Sequence, residues 1–151
     1  WQFSRLIDWG GAAYTGVDVV ASVVEANTRA FERPGVEFRH YDGDPASLPG
    51  ADLLVVKDVL QHWSNASVQR LLPCLARYRW ALITNCVSPN RRMTTNRDIA
   101  DGQMRHLDLR REPFNLAARE VMTFTDHRPG LRRLLSRPRW KKLVLLVENH
   151  A

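Results

Sequence analysis

The sequence has few cysteines and no long apolar run, and both absences narrow its class. Its 151 residues include two cysteines, Cys74 and Cys86, which form no C-x-x-C pair and predict no disulfide framework. No apolar stretch approaches the ~20 residues that a membrane-spanning helix needs, and no secretory signal is visible. We therefore expect reduced cysteines, no membrane partner and a cytoplasmic location.

The histidines lack a metal-binding pattern. The five of them are scattered without the ligand spacing of a zinc site: His40, His62, His106, His127 and His150. We therefore predict no metal site. The chain opens on Trp1 rather than Met, so we expect the gene product to begin upstream.

What is present is typical of a globular protein with an excess of positive charge. A hydrophobic content of 44% with 25% charged residues is ordinary, and 151 residues suit one domain with a sizeable core. The net charge of +6 is concentrated near the C-terminus, in Arg128, Arg132, Arg133, Arg137, Arg139, Lys141 and Lys142. Such a cluster could contact phosphates. Because only Trp140 offers an aromatic platform there, we favour a solvated face over a nucleic-acid site.

Apolar periodicity predicts strands and helices that alternate along residues 1–90. We predict strands over 13–19, 36–42, 51–59 and 80–87, a helix over 20–31 and a helix capped by Ser64. The run over 51–59 is apolar throughout, as expected for a strand covered on both faces. This alternation predicts an α/β, Rossmann-like, doubly wound sheet that is mostly parallel, in three layers. A last strand is predicted over 141–148.

Acidic residues stand where the first three of these strands end. Asp18 closes the first, Asp42 the second and Lys57-Asp58 the third. Ligands of such sheets bind outside the carboxyl ends of the strands. A carboxylate at the first position can accept two hydrogen bonds from a ribose diol, and one at the second can reach an adenine edge, with the Gly43 N–H as an added donor.

Three successive motifs, "YTGVDVVASVVEAN", "VEFRHYDGDPASLP" and "ADLLVVKDVLQHWS", resemble those of class I S-adenosylmethionine-dependent methyltransferases. The similarity extends through "RYRWALITNC", and "NRDIADG" followed by "EPFNL" is similar to bacterial members of uncertain substrate. The resemblance implies S-adenosyl-L-methionine as cofactor and a small-molecule methyl acceptor. It leaves homo-oligomer formation open.

The resemblance also implies roles for individual residues. Asp18, with Val19 beside it, would grip the ribose, and Asp42, with Gly43 adjacent, would meet the adenine amino group. Asp44 is the rival for the adenine role, because its spacing to Leu48-Pro49 fits better, whereas distance from Phe38 favours Asp42. Lys57 and Asp58 would line the methionine end of the pocket.

One departure from the family pattern stands out. The family's first, central strand and its Gly-rich loop have no counterpart here, and residues 1–9 look like the helix that follows that loop. We therefore expect an incomplete methyltransferase domain over residues 1–151: a cofactor-binding half over 1–87, a substrate-side loop or cap over 88–120, and C-terminal strands over 121–151. The strands ending at Asp18 and Asp58 would close up, leave a gap or receive a strand from a partner.

The predicted chemistry is methyl transfer by in-line displacement. A general base is needed only for a protonated acceptor, and the candidates are His62, Asp58 and Asp98. The cap region leans toward an anionic acceptor because it holds Arg91, Arg92, Arg97, Arg105, Arg110 and Arg111. The alternatives are a non-catalytic scaffold on the same fold, nucleic-acid binding through the C-terminal cluster, and a dinucleotide-dependent dehydrogenase.

Overall fold

The computed structural model describes residues 6–90, 95–125 and 141–149. These residues form strands β1 (Tyr14–Asp18), β2 (Val36–His40), β3 (Leu53–Lys57), β4 (Trp80–Val87), β5 (Arg119–Thr125) and β6 (Lys141–Glu148), and helices α1 (Ala21–Phe31) and α2 (Asn65–Leu71). The chain divides into two compact units, residues 1–49 and residues 50–151. The predicted α/β class is confirmed, as is the position of each predicted strand.

The first unit contains a parallel pair of strands. β1 and β2 are in register from Tyr14 opposite Val36 to Asp18 opposite His40. The ladder continues past the strand ends, because the Tyr41 N–H donates to the Asp18 carbonyl at 2.9 Å. The two carboxyl ends therefore lie side by side.

Helix α1 forms where the sequence predicts it, but its apolar face is not covered. Its N-cap residue, Val20, has no side-chain cap; instead Oδ1 of Asp18 accepts a hydrogen bond from the Val20 N–H at 2.9 Å. Val20 and Val23 are 47% and 39% exposed, and no residue of α1 is buried. The described residues thus leave unpacked a helix face that the periodicity assigns to a core.

The second unit contains a mixed sheet of four strands in the order β3-β4-β6-β5. β3 and β4 are parallel, whereas β6 runs antiparallel between β4 and β5. Residues 83–87 of β4 are all buried, as expected for a central strand.

β1 and β3 belong to different sheets, so of the three outcomes left open for the strands that end at Asp18 and Asp58, direct pairing is not the one observed. The prediction that β3 is covered on both faces is also wrong. Val56 is buried, but Leu53 and Val55, which point to the opposite face, are 42% and 44% exposed. No described residue covers that face, which would be buried in a sheet with helices on both sides.

Helix α2 follows its sequence signals closely. The Ser64 hydroxyl accepts a hydrogen bond from the Ser67 N–H at 3.2 Å and caps the helix. Val68 and Leu71 form its buried face, and Leu75, just beyond the helix, is also buried. The α-helix ends at Leu71, and Pro73, which has no N–H, lies in a 3₁₀ segment over Leu72–Arg77.

The segment after β4 is irregular, as predicted, but it contributes to the core. Leu107 and Leu109 are fully buried. Asn96 is 2% exposed, and its side-chain amide donates to the carbonyls of Asp108 and Glu112 at 2.9 and 2.8 Å while its Oδ1 accepts from the Asp108 N–H. A buried amide thus takes the place of secondary structure in satisfying backbone groups here.

Some predictions fall outside the described residues. Residues 1–5 of the expected helix over 1–9 lie there, and residues 6–9 are not α-helical. Most of the C-terminal basic cluster, residues 128–139, also lies there. Among the residues that are described, every helix is too short or too polar to span a bilayer.

Candidate functional site

Asp18 stands at the carboxyl end of β1 with one carboxylate oxygen available. Its Oδ1 accepts from the Val20 N–H, so this oxygen fixes the start of α1. Its Oδ2 has no hydrogen-bond partner in the described part of the chain, and the residue is half-buried. The neighbouring Val19 is 55% exposed, and its carbonyl contacts Nε2 of His40 at 3.1 Å. An acid arranged in this way can accept hydrogen bonds from a ligand without losing its structural contact.

Asp42 lies two residues beyond β2, at the same end of the parallel pair. Its Oδ1 accepts from the Asp44 N–H at 2.9 Å and from the Ser47 hydroxyl at 2.6 Å. The Ser47 and Asp44 hydrogen bonds hold the pKa of Asp42 below its usual value, so this carboxyl is ionised at neutral pH. Gly43 has φ +89°, a conformation that glycine adopts without strain.

The rival residue Asp44 has a structural task of its own. Its Oδ1 accepts from the Ala46 N–H at 3.0 Å and caps the 3₁₀ segment Pro45–Ser47. Both acids stabilise the same turn. Their geometry does not distinguish between them, so the assignment of Asp42 to the adenine stays a prediction.

In the second unit, Asp58 is held between two lysines. Nζ of Lys57 contacts its Oδ2 at 2.7 Å, and Nζ of Lys142, from β6, contacts its Oδ1. The Asp58 N–H donates to the Thr84 carbonyl at 2.8 Å. Asp58 has φ +59°, a left-handed conformation that aspartate adopts more readily than most other non-glycine residues.

The contacts in this cluster lower the pKa of Asp58 and raise the pKa of Lys142. Burial alone would raise the pKa of Asp58, but the hydrogen bonds and charges of Lys142 and Lys57 outweigh it, so the pKa is lowered. Burial alone would lower the pKa of Lys142, but its hydrogen bonds to Asp58 and Cys86 outweigh it, so the pKa is raised. Both groups are charged at neutral pH, and the lowered pKa of Asp58 makes its carboxylate a weak base.

We expect Lys142→Met to destabilise the fold by about 1 kcal/mol near pH 7, since a charge-assisted bond to a partly buried acid is lost. Because the folded pKa of Asp58 lies below its ordinary value of 3.8, its contribution is present above that pH and is lost as the pH falls through the folded pKa. Urea unfolding at pH 7 and pH 3 should therefore show a smaller difference between variant and wild type at pH 3. A loss of equal size at both pH values would contradict this account. Lys57→Met is the control, with a smaller loss expected because the Lys57 side chain is 42% exposed.

His62 ends the 3₁₀ segment Leu60–His62 that follows β3. Its Nδ1 lies 3.1 Å from the Gln103 carbonyl, which can only accept, so Nδ1 carries the proton of the neutral ring. Its Nε2 then accepts from the Gln61 side-chain amide at 3.3 Å. The lone pair of Nε2 in this neutral ring therefore accepts one long hydrogen bond.

Asp98 is committed to the start of α2. Its Oδ1 accepts from the N–H groups of Asn65 and Ile99 at 2.7 and 2.9 Å. Asp101 also binds the start of α2, because its carboxylate accepts hydrogen bonds from the Ser64 N–H and the Ser67 hydroxyl. The catalytic role predicted for Asp98 stays a prediction, and the observed contacts are structural.

Three side-chain contacts escape sequence reasoning. Lys142 bonds to Asp58 from 84 positions away along the chain, although the sequence groups this lysine with the C-terminal basic residues. Arg105 has a 4% exposed side chain and donates to the carbonyls of Arg97 and Trp63. Gln61, 5% exposed, accepts from the Cys86 N–H at 2.6 Å and ties the 3₁₀ segment to β4. None of these contacts leaves a local sequence signal. In the described ranges, no group of acidic, His or Cys side chains is suited to hold a metal ion.

Comparison with solved structures finds a similar fold in several methyltransferases. Human N-acetylserotonin methyltransferase, solved in complex with SAM, matches with a TM-score of 0.57 and 16% identity, over 95% of this chain and 42% of that one. A SAM-dependent methyltransferase from Methanosarcina mazei matches with a TM-score of 0.57 and 13% identity, over 93% and 83% of the two chains. The methyltransferase domain of a bacterial Hen1 protein matches with a TM-score of 0.53 and 16% identity, over 95% and 83%. The chain thus spans less than half of the human structure.

A comparison of the sequence with family profiles is more specific than the comparison of folds. The profile of the O-methyltransferase domain family matches residues 5–98, which is more than half of the chain. The chain therefore belongs to the O-methyltransferase domain family, and the resemblance drawn from its motifs is confirmed. A search of curated proteins returned no significant match.

Proposed function

We propose that this chain is the methyltransferase domain, or a part of it, of an enzyme that transfers the methyl group of S-adenosyl-L-methionine to a small-molecule acceptor. The observation that carries the proposal is the pair of carboxylates, Asp18 and Asp42, at adjacent carboxyl ends of the parallel strands β1 and β2. Two acids so placed fit the hydroxyls of a ribose and the amino group of an adenine. Family membership supports the same cofactor.

Asp18 has the stronger claim to its role. The ribose diol would donate to its Oδ2 while Oδ1 keeps the contact with the start of α1. Asp42 and the adjacent Gly43 are assigned to the adenine, with Asp44 as the alternative. Lys57 and Asp58 are assigned to the methionine part of the cofactor by the order of the family motifs.

The bound cofactor would supply an electrophilic methyl on a sulfonium, with a neutral leaving group. The residues of the chain then have to align the acceptor and exclude water. For a hydroxyl acceptor a proton must also be removed. Of the three candidate bases, His62 is favoured, because the two lysines lower the pKa of Asp58 and make it a weak base, and Asp98 already accepts backbone hydrogen bonds.

Isothermal titration calorimetry of the full-length protein with S-adenosylhomocysteine tests the cofactor. We expect saturable binding with micromolar affinity and no binding of NAD⁺. Heat from NAD⁺ alone would instead support the dehydrogenase alternative. Heat from neither ligand would favour a non-catalytic scaffold and contradict the proposal.

Nucleic-acid binding gains no support from the described basic residues. Lys142 forms an ion pair with Asp58 and its side chain is 12% exposed, so it is poorly accessible to a phosphate backbone. A nucleic-acid site would show a steep loss of affinity with salt, and we expect no such binding.

A further inference from the structure

An open groove of about 320 Å³ lies in the second unit, and no step described above uses it. It is lined by Thr95, Arg97, Met104, Arg105 and His106. Two of the five lining residues are arginines, and none is acidic. Met104, which is 53% exposed, adds an apolar wall.

The groove adjoins the turn that carries His62. The Arg105 N–H donates to the Gln61 carbonyl at 3.1 Å, and the Gly102 N–H donates to the His62 carbonyl at 2.7 Å. On the other side, the Leu107 N–H donates to the Cys86 carbonyl at 2.7 Å. Residues 102–107 therefore run from the turn after β3 to the carboxyl end of β4. Ligands of parallel strands such as the pair β3 and β4 bind outside these carboxyl ends.

Both arginines have side-chain N–H groups without a hydrogen-bond partner in the described residues. The Arg97 guanidinium is exposed and has no ion-pair or hydrogen-bond partner in the described residues. Arg105 is anchored through Nη1 and Nη2, yet its buried Nε finds no partner there. The nearest acid, Asp98, lies 4.0 Å from Nη1 of Arg105 and its Oδ1 already accepts two backbone N–H groups.

A buried donor without a partner is unfavourable, and the exposed Arg97 guanidinium, which lines the same groove as Arg105, can bind a planar or tetrahedral anion. We propose that this groove binds the anionic group, a carboxylate or a phosphate, of a small methyl acceptor whose apolar body rests on Met104. The proposal rests on the proposed function for the identity of the acceptor, but the anion site itself can be tested without the cofactor.

The test uses three probes on the full-length protein: benzoate, phenyl phosphate and the neutral benzyl alcohol. We expect the anions to shift the amide resonances of Thr95, Met104 and His106 in a saturable way, with benzyl alcohol at least ~10-fold weaker. Arg97→Gln should weaken the anions by about 10- to 100-fold, as for the loss of a charge-assisted bond. The Arg97 side chain makes no hydrogen bond or ion pair within the described residues, so the fold should be unaffected.

Arg79→Gln is the matched control. It removes the same charge from the opposite end of β4, where Arg79 is exposed and lies over the Trp80 ring, and should leave anion binding unchanged. Equal binding of benzyl alcohol, equal losses in both variants, or no shifts in the groove would each overturn the proposal. S-adenosylhomocysteine binding with a silent groove would reject this inference alone. Anion binding without S-adenosylhomocysteine binding would reject the methyltransferase function alone.

Discussion

Asp18→Ala should reduce affinity for S-adenosylhomocysteine by about 100-fold or more. The ribose would lose a charged acceptor at Oδ2, and each charge-assisted hydrogen bond is worth about 1.5–3 kcal/mol. The same substitution removes the acceptor for the Val20 N–H just before α1, and a hydrogen bond of this kind contributes about 0.5–1.5 kcal/mol to stability. Calorimetry on the full-length protein measures the first effect, and urea unfolding measures the second.

Asp18→Asn separates the two roles of this residue. The amide oxygen can still accept from the Val20 N–H, so stability should stay close to that of the wild type. The ribose would face a neutral group, and the affinity should fall by roughly tenfold because hydrogen bonds to neutral groups are weaker. Wild-type affinity in Asp18→Asn would show that Asp18 only accepts the local hydrogen bond from the Val20 N–H, and the ribose assignment would then be wrong.

Asn96→Ala should destabilise the second unit by about 3 kcal/mol or more. The substitution leaves the Asp108 N–H and the carbonyls of Asp108 and Glu112 without their partner, and an unsatisfied buried polar group costs about 1–3 kcal/mol. Asn96 also has φ +50°, a conformation that asparagine adopts more readily than alanine. The urea midpoint should fall accordingly.

Asn96→Asp is the informative partner of that variant. It keeps an acceptor for the Asp108 N–H but offers no donor to the two carbonyls, and it buries a charge. It should be at least as unstable as Asn96→Ala. A near-neutral effect of either substitution would contradict the view that this side chain organises the irregular segment.

The sequence predicts local events well. The strand ends at Asp18 and Lys57, the Ser64 cap and the end of α2 before Pro73 all depend on residues within a few positions of one another. Each has a local physical cause, such as a side-chain acceptor or a missing N–H.

Long-range contacts are where sequence reasoning fails. The bond between Lys142 and Asp58 joins positions whose separation no periodic pattern encodes. The polar segment over 88–120 reads as a cap, yet Asn96 and Arg105 bury their side chains by satisfying carbonyls within it. Conversely, the apolar faces of α1 and β3 predict a covering layer that the described residues do not supply.

The central claim is that the carboxyl ends of β1 and β2 hold a nucleoside. The most direct measurement is a titration of ¹⁵N-labelled full-length protein with S-adenosylhomocysteine, followed by amide resonances. The account predicts the largest shifts at residues 18–20 and 42–44, with the Asp18→Asn variant needing about tenfold more ligand for the same shifts. Saturable binding that leaves both stretches unshifted would contradict it.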